Sequence, residues 1–272
     1  MYKTKPLLGG NSYLNRNHKF NKDLDLFYLF NEGGGTQANE LQRGLKGTLT
    51  GFTNNRGSGW DGSLFGSGIK FNGTPNWIPL GQQNVCQGSF STVAWIKILA
   101  TSDANGSYIF SNDQSLGTGG SVYTRFAWTQ ARNLFLKVGS NNSLRTVIST
   151  NTLNVDTWYF VACTCSSTGD SSTLDLYVNG VKAATTVSGA HTSIVVANRY
   201  CSIGALDYIH GSFILGYVQG YIDHLRHYEK RVLTPEEILN LYNEPFDDFN
   251  TEYKKYYLLP TVTSRSYGFI IG

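Results

Sequence analysis

From Phe90 to Tyr228 the chain is a succession of short apolar, β-branched and aromatic segments, each stopped by a loop of Gly, Ser, Asn and Thr. The segments are Phe90–Ile98, Tyr108–Phe110, Tyr123–Trp128, Leu134–Val138, Thr146–Ser149, Trp158–Thr164, Leu174–Val178, Cys201–Gly204 and Tyr217–Tyr228. They recur at close to the roughly 8–12 residues expected of sandwich strands, and so frequent an interruption leaves no room for long helices. Composition agrees. The 272 residues include 17 Tyr, 15 Phe and 30 Gly, and only 15% are charged, against about 25% in an average domain, which excludes a coiled coil or a charged disordered chain. The reading is all-β.

Alternation within segments assigns faces. Phe90, Ala94, Ile96 and Ile98 share one side of a strand and Val93 and Trp95 the other. Leu24, Leu26, Tyr28 and Phe30 oppose Phe27 and Leu29, so both faces are apolar and that strand is expected to be central and covered. Residues 36–89 read as turn-rich, with short apolar patches such as Gly68–Phe71. Asn179-Gly180, directly after Leu174–Val178, predicts a hairpin, because a type I′ turn needs two positive φ angles. One helix is expected, with Thr234 as N-cap, Pro235 at N1 and Glu237 closing a capping box. Ile238, Leu241 and Tyr242 form its apolar stripe, and Pro245 ends it.

Several function classes drop out. The net charge of +3 comes without Lys/Arg clusters, so no nucleic-acid partner is expected. No apolar run approaches the roughly 20 residues of a membrane helix, and none resembles a signal peptide, so no membrane partner is expected and the chain reads as made in a cytosol. Cys86, Cys163, Cys165 and Cys201 lack metal-ligand spacing and read as buried free thiols. Residues 1–22 read as an N-terminal arm. Residues 246–272 read as an extended tail whose Tyr253, Tyr256, Tyr257, Leu258, Leu259, Phe269, Ile270 and Ile271 are too apolar for a solvated linker and are expected to bind a partner.

Five stretches in order carry a resemblance: Leu26–Gly34, Gly68–Gly73, Phe90–Lys97, Leu174–Gly180, and Gly220–Tyr228 followed by Leu233–Ile238. The chain over about residues 23–245 resembles the laminin-G-like, concanavalin A-like lectin/glucanase domains. The resemblance implies a two-sheet antiparallel jelly-roll sandwich with one short C-terminal helix. Within it Gly220 would admit a close strand entry, Trp95 and Trp158 would fill the gap between the sheets, and Asp223, on one strand face with Leu225, would be a buried, hydrogen-bonded structural carboxylate. The N-terminal part (Asn17–Phe20, then Phe30–Gly35) is similar to a subgroup found in tailed-bacteriophage structural proteins, although Glu40–Gly44 stands where that subgroup has an Asp and a Ser-Gly-x-Gly turn.

No catalytic set is legible. The glucanase Glu-x-Asp-x-x-Glu pattern is absent, and the histidines are scattered, with His224 and His227 on opposite faces of one strand. The resemblance brings in calcium, held by loop oxygens; Glu40, Asp103, Asp113, Asp170 and Asp207 are the donors available for a structural ion, although they form no cluster. Trp60 and Trp77, flanked by turn residues and polar groups, are the carbohydrate-binding candidates, with tryptophans folded onto the sandwich edge as the alternative. The expectation is a non-enzymatic structural or decorating protein of a phage virion, multimeric and gripping capsid or tail subunits through its arm and tail. The alternative is a carbohydrate-binding adhesin that attaches a particle or cell to host glycans.

Overall fold

The computed structural model describes residues 5–6, 12–55, 57–100, 106–115, 121–140, 143–166, 173–189, 199–207 and 214–251. In chain order the first elements are β1 (Ser12–Leu14), a 3-10 turn (Lys19–Asn21), β2 (Leu24–Tyr28), β3 (Gln37–Asn39), β4 (Lys46–Thr48), β5 (Gly59–Ser63), β6 (Gly66–Asn72) and β7 (Ile78–Gln83). Next come β8 (Phe90–Ile98), β9 (Ser107–Ser115), β10 (Ser121–Trp128), β11 (Asn133–Ser140), β12 (Ser143–Thr152), β13 (Trp158–Ser166), β14 (Thr173–Val178) and β15 (Val181–Lys182). The last are β16 (Thr185–Ser188), β17 (Arg199–Ile203), β18 (Leu206–Asp207), β19 (Ile214–Leu215), β20 (Gln219–Glu229), α1 (Pro235–Asn243) and β21 (Phe249–Thr251).

Two antiparallel sheets face each other. One is seven-stranded, in the order β16-β12-β11-β10-β9-β17-β7. The other is eight-stranded, β15-β14-β13-β8-β20-β6-β5, with β2 also on β20. The main core lies between them and draws Phe90, Ala94, Ile96 and Ile98 from β8, with Phe110, Phe126, Trp128, Leu136 and Val147 from the facing sheet. A second cluster coats the outer face of the eight-stranded sheet, where Phe20, Phe27, Val93, Trp95, Phe160, Ile238, Leu241 and Phe246 pack together. The chain is therefore three layers thick there.

The predicted faces of β8 stand, and so does the helix. Thr234 Oγ1 accepts from the Glu237 N–H (3.2 Å), and Glu237 Oε2 accepts from the Thr234 N–H (2.9 Å), a capping box with Pro235 at N1. Asn179 and Gly180 take positive φ angles (50° and 80°) and turn the chain from β14 into β15. Gly220 is required by close approach, because a Cβ there would sit 2.2 Å from the Lys97 carbonyl oxygen.

Other expectations are corrected. Residues 36–89 carry five strands, β3 to β7. Strand β2 is covered on both faces but not central; its ladder is with β20, its other edge meets Glu40 and Leu41 through an isolated bridge at Tyr28 and the Leu41 N–H bond to the Phe27 carbonyl (2.9 Å), and a register shift between Leu24 and Leu26 moves Leu24 to the outer cluster. Trp95 and Trp158 do not lie between the sheets. Trp95 sits in the outer cluster, stacked on Tyr242 of α1 (5.6 Å), and Trp158 packs on Tyr221 (5.7 Å); Trp128 fills the gap instead. Asp223 is buried as expected but shares no face with Leu225. His224 between them takes φ 51° at a bulge, so Leu225 turns into the main core while Asp223 stays on the outer side.

The described parts of both chain ends are fastened to this outer face. The buried Lys5 ammonium forms an ion pair with Asp223 and donates to the carbonyls of Phe30 (2.9 Å) and Ser67, and Ser63 Oγ donates to the second Asp223 oxygen (2.6 Å). Burial lowers the Lys5 pKa and raises that of Asp223, with the attraction between them opposing both shifts. Arg226 grips Asp248 with two bonds of 2.8 and 2.9 Å, both side chains being at most 1% exposed. β1 pairs with β21, and the Asn15 N–H donates to the Asp248 carbonyl (2.8 Å). Residues 5–6, 12–22 and 246–251 are thus the parts of the expected arm and tail that pack on the body itself.

Candidate functional site

Strand parity and register build two side-by-side rows on the outer face of the seven-stranded sheet. In β10, β11 and β12 the residues Phe126, Leu136 and Val147 point into the core, so their neighbours in sequence point out. The first outward row runs Ser188, Thr146, Lys137, Arg125, Ser111, Ser202, each paired with the next across β16, β12, β11, β10, β9 and β17. The second runs Thr186, Ile148, Phe135, Ala127, Tyr108. A hydroxyl-rich, cationic row thus lies against an apolar, aromatic one.

The two halves of this face differ. Towards β17 the row is closed: Ser111 and Ser202 are fully buried, their hydroxyls 2.9 Å apart, and both donate to the Ala205 carbonyl (3.1 and 2.8 Å). Leu206 and Leu215, from the short β18–β19 ladder, pack with Tyr108 and Phe135. Towards β16 the face opens into a hollow of about 260 Å³ lined by Tyr108, Gln130, Phe135, Lys137, Thr146 and Ser188 among others. Tyr108 and Phe135, only 4% and 9% exposed, line its floor, edge to face with centroids 6.2 Å apart, an arrangement worth about 1 kcal/mol beyond the area it buries.

The charges on this face are uneven. Arg125 Nε donates to Asp113 Oδ2 (2.8 Å), and the Thr124 N–H reaches Oδ1 (3.3 Å). Burial raises the Asp113 pKa to about 6, while Arg125 and Arg199 oppose the shift. Lys137 is half-buried in the hollow, beside Arg125 in register. Burial lowers its pKa, the Arg125 charge adds to the effect and Asp113 opposes it.

The sequence-predicted site residues lie elsewhere. Trp60 is not in a loop but in the edge strand β5, paired with Ile69; it packs on the main core and its Nε1 donates to the Gly35 carbonyl (2.8 Å). Trp77 precedes β7 and bridges to Thr50, near Tyr217 (6.4 Å); its buried Nε1 has no acceptor among the described residues. Both rings are partly buried and no ring contact joins them among the described residues. Tyr253, Tyr256, Tyr257, Leu258, Leu259, Phe269, Ile270 and Ile271 lie outside the described residues.

Two of the five calcium candidates are taken up by protein donors. Glu40 is buried and accepts from the N–H groups of Phe27 (2.7 Å), Gln42 (2.7 Å) and Arg43, and Asp113 serves Arg125. Asp103 and Asp170 lie outside the described residues, among which no three His, Cys, Asp or Glu side chains come together as a metal site. No helix among the described residues is long and apolar enough to cross a membrane.

One constellation escaped the sequence. Cys86 Sγ lies 3.9 Å from His227 Nε2, which faces Glu229 (3.3 Å), while Thr92 Oγ1 lies 2.9 Å from Nδ1. A thiol, an imidazole and a carboxylate in line are the parts of a nucleophilic centre. Here Cys86 and His227 are at most 1% exposed, and burial pushes the thiol pKa well above its usual value. The thiolate is suppressed and no substrate reaches it, so the cluster is a core hydrogen-bond network. His224 is likewise held neutral by burial and by Arg226, and its Nε2 accepts from Arg226 Nε (3.0 Å).

The chain matches no curated protein sequence. Among solved structures it is similar to domain 4 of AbnA, an extracellular arabinanase from Geobacillus stearothermophilus in complex with arabinotriose, with a TM-score of 0.59 and 20% identity over 80% of this chain and 98% of that one. The binding domain of Paraclostridial Mosquitocidal Protein 1 follows, with a TM-score of 0.58 and 13% identity over 83% of this chain and 53% of that one. Trypanosoma rangeli sialidase in complex with sialic acid gives 0.56 and 14% over 84% of this chain and 34% of the enzyme. Identities this low carry the fold alone. Residues 72–239 match the family described as the concanavalin A-like lectin/glucanases superfamily. More than half of the sequence lies within that match, and the chain belongs to the concanavalin A-like lectin/glucanase superfamily.

Proposed function

We propose that this chain is a non-catalytic carbohydrate-binding module and that the hollow on the outer face of the seven-stranded sheet receives the sugar. The observation that carries the reading is the pairing of an aromatic floor, Tyr108 and Phe135, with a rim of hydroxyl, amide and ammonium groups from Thr146, Ser188, Gln130 and Lys137. A pyranose or furanose ring has the same two-sided chemistry, with C–H faces that seek aromatic surface and hydroxyls that seek donors and acceptors. At about 260 Å³ the hollow lies just under the roughly 300–1,000 Å³ of drug-sized pockets and suits one ring, with the rest of a glycan lying along the surface. The structurally similar arabinanase domain carries arabinotriose, which supports the class of ligand.

A glycosidase needs two carboxylates flanking the scissile bond, about 5–9.5 Å apart. The two rows contain none, and the nearby Asp113 is committed to Arg125. The module therefore holds its sugar without cleaving it.

The test is a glycan array probed with the wild type and with Thr146→Trp, which fills the hollow with an indole on a strand position that tolerates it. Binding that disappears in Thr146→Trp supports the reading. Binding that survives there and disappears in Trp60→Ala or Trp77→Ala would move the site to the tryptophans. A protein that binds no glycan and is recovered within a virion would return the account to a phage structural subunit.

A further inference from the structure

We propose, resting on the carbohydrate reading above, that the hollow selects an acidic glycan, with Lys137 as the residue that meets its carboxylate or sulfate group. Three observations lead there. Parity places Lys137 on the outer face between the inward Leu136 and Val138, at the seam between the polar row and the aromatic floor. Its cross-strand neighbours are Arg125 on one side and Thr146 on the other. Like charges in direct register repel, so a Lys-Arg pair in a sheet is unfavourable unless something negative joins it.

Arg125 has such a partner in Asp113, at 2.8 Å. Lys137 does not: among the described residues its ammonium makes no hydrogen bond and no ion pair. Among the described residues Asp113 is the one carboxylate that offsets the Lys137 charge, and it is bonded to Arg125. A half-buried ammonium next to an arginine, lowered in pKa by burial and by that neighbour, marks a place short of negative charge. The lining residues that surround it, Thr146, Ser188 and Gln130, are neutral donors that can complete the coordination of an anionic oxygen. A neutral sugar would leave the ammonium without a counter-charge, whereas an acidic one supplies the charge and forms a charge-assisted hydrogen bond, the stronger kind.

The experiment uses the full chain on an array in which each acidic glycan is printed beside its neutral counterpart, carboxyl-reduced or desulfated. Affinities of the best pair are then measured by calorimetry at low and high KCl. The expected result is a preference for the acidic member of about tenfold or more. That preference should shrink at high salt, be lost in Lys137→Gln and be kept in Lys137→Arg; Lys137→Arg should melt with the wild type and Lys137→Gln at or above it, because Gln relieves the repulsion by Arg125 and breaks no hydrogen bond or ion pair among the described residues. The carboxyl-reduced and desulfated arms tell which acid is read. Equal binding of acidic and neutral members, or full acidic preference in Lys137→Gln, would overturn this inference and leave the carbohydrate reading standing. Binding to neither member of any pair would overturn both.

Discussion

Truncating Asp248 to alanine tests how the C-terminal segment is held. Asp248 meets Arg226 with two charge-assisted bonds, 2.8 and 2.9 Å, and neither side chain is more than 1% exposed. After the truncation Arg226 keeps the Pro245 carbonyl (2.8 Å), the His224 Nε2 acceptor (3.0 Å) and its place over the Phe27 ring (4.2 Å). It loses its only carboxylate partner among the described residues and becomes a buried, uncompensated cation. Breaking such a pair from one side costs about 3–5 kcal/mol, and the three remaining contacts put Asp248→Ala near the low end. Asp248→Asn, which keeps an acceptor, should lose less. Arg226→Met with Asp248→Leu should come within about 1–2 kcal/mol of the wild type, because replacing both charges removes the desolvation cost along with the attraction. Urea unfolding is the assay, with the midpoint falling at constant slope. Amide exchange at Asn15, whose N–H is bonded to the Asp248 carbonyl, reports whether the segment peels away instead. A loss below about 1 kcal/mol in Asp248→Ala, with Asn15 still protected, would refute the clamp.

Further expectations concern charge, backbone and thiols. Burial raises the Asp113 pKa from 3.8 to about 6 against the opposing charges of Arg125 and Arg199, so the folded state holds its proton more tightly than the unfolded chain. Asp113 thus contributes stability that is lost as pH rises from about 4 to about 6, by up to ~1.4 kcal/mol per pH unit. Urea unfolding at pH 4, 5, 6 and 7 should show this slope in the wild type relative to Asp113→Asn; parallel curves would contradict it. Gly220→Ala places a methyl 2.2 Å from the Lys97 carbonyl oxygen and should cost about 3 kcal/mol by forcing β8 and β20 apart, read as a lower Tm; an unchanged Tm would show that the strands can part freely. All four cysteines are buried, and burial raises every thiol pKa, that of Cys165 to about 12. Thiol reagents should label none of them until the protein unfolds, and rapid native labelling would disprove the packing around Cys86.

What the sequence disclosed was whatever depends on short-range pattern. The faces of β8, the Asn179-Gly180 turn and the Thr234–Glu237 capping box are each decided by neighbours within a few residues, and each stands in the structure. The five strands between 36 and 89 escaped because segments such as Gly59–Ser63 and Ile78–Gln83 are short, glycine-bearing or interrupted by Pro79, and are held by pairing rather than by propensity. The bulge at His224 escaped for a related reason: one residue with positive φ reverses every later face assignment on β20. The hollow was the least legible feature. Tyr108, Phe135, Thr146 and Ser188 come together only through register across five strands. Read along the chain, Leu134–Val138 marks Lys137 as an outward position, but nothing local says that Arg125 stands beside it. In sequence the tryptophans stand as isolated loop aromatics, a pattern that cannot distinguish a platform from a ring hydrogen-bonded at a sheet edge, which is where Trp60 lies.

The most direct measurement is amide chemical-shift mapping of the isotope-labelled chain, titrated with the best array ligand. Saturable shifts centred on Gln130, Lys137, Thr146 and Ser188, with the Trp60 and Trp77 indole signals unmoved, are the predicted result. Shifts confined to those two indoles, or none at any concentration, would contradict a sugar seated on the aromatic floor of the seven-stranded sheet.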